Sequence, residues 1–230
     1  GVLVKGDVRE KKTLEKIVKQ YKIIEVYHLA GLLSVGGEKN PDLAWDVNIN
    51  GLRNVLELAR DYKLKVFWPS SIAAFGPTTP KEKTPQHTVL EPTTIYGVTK
   101  LSGELLCQYY FLRWGVDVRS LRYPGLIGYQ APPGDGTTEY SVHIFYGLLK
   151  EQKYSCFLKA DARLPMMYID DAIRGTVALM DAPAKNISIR TSYNFAAIDD
   201  TQACHDWGWK HAYNLEKMTK IMIEGLKRKL

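Results

Sequence analysis

"LKVFWPSSIAAFG", residues 64–76, reads as a strand running into an irregular turn. Its apolar and aromatic run has strand length and strand composition. It ends in two hydroxyls, Ser70 and Ser71, before a turn closed by Gly76. Ligands of open α/β sheets bind outside the carboxyl ends of strands, so hydroxyls at that place point to a site. The competing reading is that the serines only cap the turn.

Two further runs on either side read as strands, "IIEVYHLA" (23–30) and "VDVRSLRYPG" (116–125). Helical patterns separate them over 10–21, 42–62 and 94–114. In the second of these, Leu43, Ala44, Val47, Leu52, Val55, Leu56 and Leu58 recur at helical spacing. Strands alternating with helices of this length predict βαβ units and a parallel sheet. Continuously apolar strands predict a sheet covered on both faces. After residue 125 the pattern changes. "QAPPGDGTTEY" (130–140) is a Pro/Gly-rich loop leading into a helix at about 139–151. "RLPMMYIDDAIRGTVALMDAP" (163–183) follows as a short extended piece and a helix, with Asp170 as cap and Asp171 in the first turn. "SYNFAA" (192–197) and an amphipathic helix over 214–229 complete the chain. The expected division is a main domain over 1–125 and a smaller lobe over 126–230, with some segments returning to the main domain.

The totals narrow the function. The 230 residues are 45% hydrophobic and 24% charged, ordinary values for a globular protein. The net charge of +6 comes from 31 basic and 25 acidic residues that are interleaved, without the basic stripe of a nucleic-acid binder. No apolar run approaches membrane-spanning length. Cys107, Cys156 and Cys204 are scattered, with neither metal spacing nor a disulfide framework, so no metal site is expected and a reducing compartment is. His28 is expected to pack within its strand, and His205 and His211 to lie on the surface. "DWGW" (206–209) is expected to pack the last helix onto the lobe.

A second feature gives the serines their meaning. "PTTIYGVTK" (92–100) places Tyr96 and Lys100 one turn apart at a helix start, on one face. A phenol with an ordinary pKa of about 10 must lose its proton to act as a base near neutrality. A neighbouring ammonium favours the phenolate. The spacing alone recurs by chance, but with a Ser-ended strand upstream it becomes specific. A third feature, "VYHLAG" (26–31), ends a strand in small residues past which a flat ligand can approach the backbone.

Together these segments resemble the extended short-chain dehydrogenase/reductase superfamily, whose fold is a Rossmann-type doubly wound parallel sheet with a smaller C-terminal substrate lobe. The resemblance implies Ser71 as the catalytic hydroxyl, Tyr96 as acid/base and Lys100 as its activator, with Ser70 the lesser candidate for the hydroxyl role. It also implies NAD as cofactor. Asp7 in "GDVRE" would meet the adenine, and Leu29, Ala30 and Gly31 would line the adenosine. Asn48 would support the active-site backbone, and Tyr123, Pro124 and Gly125 would run beside the nicotinamide.

More narrowly, "PSSIAAFGPTTPKEKTP", "IYGVTK", "VRSLRYPGLI", "GTTEYSVHIFY", "LPMMYIDDAI" and "HDWGWKHAYNLEKMTKIM" resemble the epimerase-like L-threonine 3-dehydrogenases. That resemblance spans nearly the whole chain. It implies L-threonine as substrate, met by Ser34, Ser71, Tyr96, Thr137 and Glu139, and oxidation at C3 to 2-amino-3-ketobutyrate. Glu139 stands where that family usually has Asp. A homodimer paired through the 42–62 and 94–114 helices is also implied, in a bacterial or archaeal cytoplasm or a mitochondrial matrix.

Two departures accompany the match. The Gly-rich turn that cradles a pyrophosphate between the first strand and helix is not in these residues. "NFAAID" passes almost directly to "DTQACHDWGW". The expectation is therefore that the first βαβ portion and an internal segment near 198–200 are lacking. The alternatives are a nucleotide-sugar 4-epimerase or dehydratase with tightly bound NAD, and a non-catalytic Rossmann-like binding protein.

Overall fold

A computed structural model describes residues 1–134, 138–159, 162–195 and 200–230. Its centre is a parallel sheet in the order β1 (Glu25–Tyr27), β2 (Lys65–Ser71), β3 (Val118–Tyr123), β6 (Tyr193–Asn194). β1 pairs with β2 from Glu25 opposite Lys65 to Tyr27 opposite Phe67, and β2 pairs with β3 from Val66 to Ser71. The side chains of β2 alternate between two cores, the period of a strand covered on both faces. Val66 and Trp68 join Val18 of helix α1 (Lys11–Tyr21), Leu52, Val55 and Leu56 of α4 (Gly51–Tyr62), and Cys107 and Tyr110 of α5 (Ile95–Trp114). Phe67 faces the other way, with Leu121, Tyr193 and residues Ala172, Leu179 and Met180 of α7 (Ile169–Asp181). The α/β fold with a parallel, doubly covered sheet is present as expected.

The expected 23–30 strand is paired only at its centre, and the reason lies in β2. Val66 N–H bonds Asp117 on the β3 side, so Phe67 and Pro69 face β1. Pro69 has no N–H to continue that ladder. The 116–125 run is not one strand but two. Pro124 separates β3 from β4 (Gly125–Ile127), which pairs instead with β5 (Met166–Tyr168) in a separate two-stranded sheet. A third apolar cluster joins these strands to α6 (Tyr140–Glu151) and α9 (Leu215–Lys227) through Ile127, Val142, Tyr168, Met218, Met222 and Leu226.

The 42–62 helix is interrupted in a telling way. α3 (Pro41–Trp45) passes through a π-helical turn, Asp46–Asn50, into α4. Such turns are frequent at functional sites; Asn48 lies at the middle of this one and is buried. Two smaller expectations are corrected. Asp170 is not the cap of α7: the capping position is Tyr168, while Asp170 and Asp171 occupy the first turn. "DWGW" does not dock the last helix. Trp207 and Trp209 end and follow α8 (Thr201–Trp207) and pack on Phe195 and the α7 core, whereas α9 packs on α6.

α5 lies unusually close to β2. A Cβ on Gly103 would stand 2.3 Å from Cη2 of the fully buried Trp68. Gly103→Ala therefore overpacks a rigid ring despite its better helix propensity. The expected cost is about 1–3 kcal/mol, seen as a lower melting temperature. An unchanged or raised melting temperature would show that the α5–β2 contact has slack.

Candidate active site

The carboxyl end of β2 and the first turn of α5 meet through a second close approach. Thr94 caps α5 by accepting from Gly97 N at 3.1 Å, and Glu38 Oε1 accepts from Ile95 N at 2.8 Å. Two of the donors left open at a helix start are thereby satisfied. A Cβ on Gly97 would lie 2.3 Å from the Ala73 carbonyl oxygen, so only glycine lets this turn sit against the one after β2. Tyr96, beside that glycine, is thus brought to Ser71.

Ser71 and Ser70 have different fates. Ser71 Oγ accepts from Ala73 N at 3.1 Å, capping the short 3₁₀ turn Ile72–Ala74, and its side chain lies near enough to the Tyr96 phenol to act on its ionisation. The turn cap therefore stands beside Tyr96. Ser70 is buried on the opposite face and donates to Glu104 Oε1 at 2.5 Å, which removes it from the site.

Lys100 is buried under Tyr96. Its Nζ donates to the Pro69 carbonyl at 2.6 Å and lies 5.4 Å from the Tyr96 ring centre and 4.8 Å from that of Trp68. Burial pulls the Lys100 pKa down to about 8, and the carboxylate of Glu104 opposes the fall. Burial pushes the Tyr96 phenol above its ordinary value, and the nearby Ser71 side chain draws it back. His28 is packed beside this group, as expected. Burial and the Lys100 charge lower its pKa to about 4, so it is neutral at physiological pH, and its Nε2 has no partner among the described residues.

Asn48 joins three segments. Its Oδ1 accepts from Leu32 N at 2.8 Å, and its Nδ2 donates to the Leu32 carbonyl and to Thr99 Oγ1, both at 3.1 Å. The exposed stretch Leu29–Gly31 is thereby held next to the first turn of α5. Ser34 begins α2 (Ser34–Lys39), the short helix that carries Glu38 to that same turn. Gly125 N bonds the Pro165 carbonyl, and Thr138 and Met166 close on Gly125 itself. Glu139 sits at the N-cap of α6. Thr137 and positions 198 and 199 lie outside the described residues.

Two expected ligand residues are otherwise engaged. The Asp7 carboxylate is bound by Arg9, which holds its pKa down at about 2, and Asn54 fixes the adjoining backbone by donating to the Val8 and Arg9 carbonyls. The Tyr123 phenol points to the α7 side, paired with Thr176 Oγ1. The backbone from Tyr123 to Gly125 follows at that strand end.

The sequence reading missed the ion pair beneath the site. Arg122 donates to both oxygens of Glu104, at 2.9 and 2.7 Å, with both residues buried. It also reaches Asn194 Oδ1 and the Gln86 carbonyl. The Gln86 amide in turn bonds Ser192 O and Asn194 N along β6. The available signal was an arginine in a strand and a glutamate one turn beyond Lys100, both in otherwise apolar surroundings.

The match to known proteins follows the same segments. Residues 2–196 match the NAD dependent epimerase/dehydratase family. The chain belongs to that family. An uncharacterized epimerase/dehydratase of Staphylococcus saprophyticus is 40% identical over 262 residues, covering 97% of this chain and 82% of that protein. The epimerase-like L-threonine dehydrogenase of Cupriavidus necator, solved in its holo form, is 45% identical. It has a TM-score of 0.95 and covers 97% of this chain and 85% of its own. A monomeric L-threonine 3-dehydrogenase from a metagenome is 43% identical with a TM-score of 0.96, over 98% of this chain and 85% of its own. Within this epimerase/dehydratase chain, as described, no helix is long and apolar enough to cross a membrane.

The buried Lys100 makes a linkage prediction. Its pKa is about 8 when folded against an ordinary 10.5, so between these values the unfolded chain binds the extra proton. Stability then rises with pH. The stability of the wild type relative to Lys100→Met is expected to improve as pH climbs from about 8 to about 10.5. Denaturant titrations at a series of pH values check this; a difference independent of pH would contradict it.

Proposed function

We propose that this protein oxidises L-threonine at C3 to 2-amino-3-ketobutyrate with NAD. The observation that carries the reading is the meeting of Ser71, Tyr96 and Lys100 at the carboxyl end of β2. The likeness to solved L-threonine dehydrogenases at above 40% identity supports the substrate.

The residues present suit the cofactor. Leu29–Gly31 is an exposed backbone at the end of β1. A Cβ on Gly31 would come within 3.2 Å of Asn48 Oδ1, so the residue is kept flat there. Lys100 Nζ spends one donor on Pro69 and has others for ribose hydroxyls. Pro124 and Gly125 offer a further stretch of backbone on the other side. When bound, NAD accepts the hydride that leaves C3.

The chain's own groups handle the proton and the oxygen. Tyr96, as phenolate, takes the proton of the C3 hydroxyl. Ser71 donates to the same oxygen as it becomes a carbonyl. Lys100 stabilises the phenolate through its charge. A positioned acid/base group of this kind contributes roughly 10²–10⁴-fold. Ser34 and Glu139 are proposed to meet the amino acid's charged groups, with Thr137 beside them.

The test is reduced-nicotinamide formation from NAD and L-threonine by the intact protein, with a UDP-sugar as the competing substrate. Activity is expected with threonine, and Tyr96→Phe is expected to lower kcat by roughly 10²-fold or more. Turnover of the sugar nucleotide in place of threonine would move the assignment to an epimerase or dehydratase.

We also propose a homodimer through α5. Leu105, Tyr109 and Leu112 are 54, 52 and 71% exposed and share one helical face with Val98, while Trp45 stands exposed on α3. Such a stripe is more apolar than a solvated helix face requires. Sedimentation velocity is expected to find a dimer that Leu105→Glu with Leu112→Glu converts to monomer. A monomeric wild type would place the protein with its metagenomic relative.

A further inference from the structure

The buried Glu104 has no part in the chemistry just described, yet it lies one helical turn beyond Lys100 on the same face of α5. Its carboxylate is the junction of three elements. Ser70 Oγ of β2 donates to Oε1 at 2.5 Å, and Arg122 of β3 donates to Oε1 at 2.9 Å and Oε2 at 2.7 Å. Ser70 is the neighbour of Ser71, and Pro69, which precedes it, receives Lys100. A displacement of this carboxylate therefore moves the strand end that carries the hydroxyl and the ammonium's acceptor together.

Charge gives a second link. Four titratable groups face Lys100 from the elements packed around it. Tyr96, Glu104 and Cys107 come from α5 itself, and His28 directly follows β1. Burial keeps the Cys107 thiol protonated and His28 neutral. Among these described residues Glu104 is the one carboxylate, and Arg122 holds it in place. The carbonyl of Pro69 and the face of Trp68 supply only partial charge.

We propose that Glu104 is a positioning residue for the Ser71–Tyr96–Lys100 set, keeping Lys100 charged and β2 in register with α5. This rests on the dehydrogenase reading for its catalytic meaning but not for its test. The plain alternative is an ion pair that only fastens α5 to β3, since buried pairs are often replaceable by neutral groups without loss of stability.

The experiment compares wild type with Glu104→Gln, Glu104→Gln/Arg122→Gln and Glu104→Gln/Arg122→Met, each checked for folding by circular dichroism. The double variants remove both charges, so no lone charge is left buried. The first readout needs neither substrate nor cofactor: the titration of the Lys100 ε-carbon by NMR with labelled lysine, assigned with Lys100→Met. In the wild type it is expected near pH 8. In Glu104→Gln it is expected lower by about one pH unit, a tenfold change in the ionisation constant, and in the double variants, which also lose the Arg122 charge, lower by less. Glu104→Asp, which keeps the charge, is expected to restore most of that shift. The second readout is kinetic, with kcat for threonine oxidation reduced about tenfold at pH 8 and KM little changed.

A Lys100 titration unmoved in folded Glu104→Gln, or failure of all three variants to fold, would overturn the proposal and leave Glu104 as half of a fastening ion pair. Because the titration is read without threonine, a wild type inactive on threonine would sink the proposed function while leaving this test intact.

Discussion

The hydrogen bond from Lys100 to the Pro69 carbonyl is the interaction on which the rest of the site depends. β2 stops pairing with β1 at Pro69, because proline brings no donor to that edge. The carbonyl left open there must find a partner, and a buried ammonium supplies it at 2.6 Å. That bond fixes how far α5 can stand from β2. The two glycines of α5 make the distance possible, Gly103 over Trp68 and Gly97 over the Ala73 carbonyl. Tyr96 and Ser71 meet as a consequence of this docking.

Burying an ammonium is unfavourable, and the structure answers with several modest terms rather than one. A carbonyl, two aromatic faces and a carboxylate one turn away surround Lys100. The net result still leaves its pKa well below the ordinary lysine value. Perturbed ionisation at the end of a parallel strand marks a candidate functional site. His28, neutral next to it and with Nε2 lacking a partner among the described residues, adds to that mark.

Much of this was legible in the residues. Alternating strand and helix patterns place β2, β3, α1 and α5 within a residue or two, because their apolar faces repeat at the periods that burial demands, while the 42–62 pattern spans α3, the π-helical turn and α4 together. Ser71, Tyr96 and Lys100 stood out as candidates because strand end and helix start each carry a local signal. What local signals do not contain is pairing over distance. Nothing near Glu104 announces Arg122, and nothing near Tyr123 says that its phenol turns toward Thr176. The early end of β1 and the split at Pro124 follow from proline chemistry, yet apolar runs on both sides obscured them. Asp7 was chosen for its place in "GDVRE", while its pairing with Arg9 depends on a turn geometry that composition does not set.

The most direct test of the account is the fate of the C3 hydrogen. L-threonine deuterated at C3, offered with NAD to the intact protein, should deliver its deuterium to the reduced nicotinamide, with a primary isotope effect on the step. That result would join the Ser71–Tyr96–Lys100 geometry to hydride removal from an amino-acid alcohol. Deuterium retained in threonine, with no reduced cofactor formed, would contradict it.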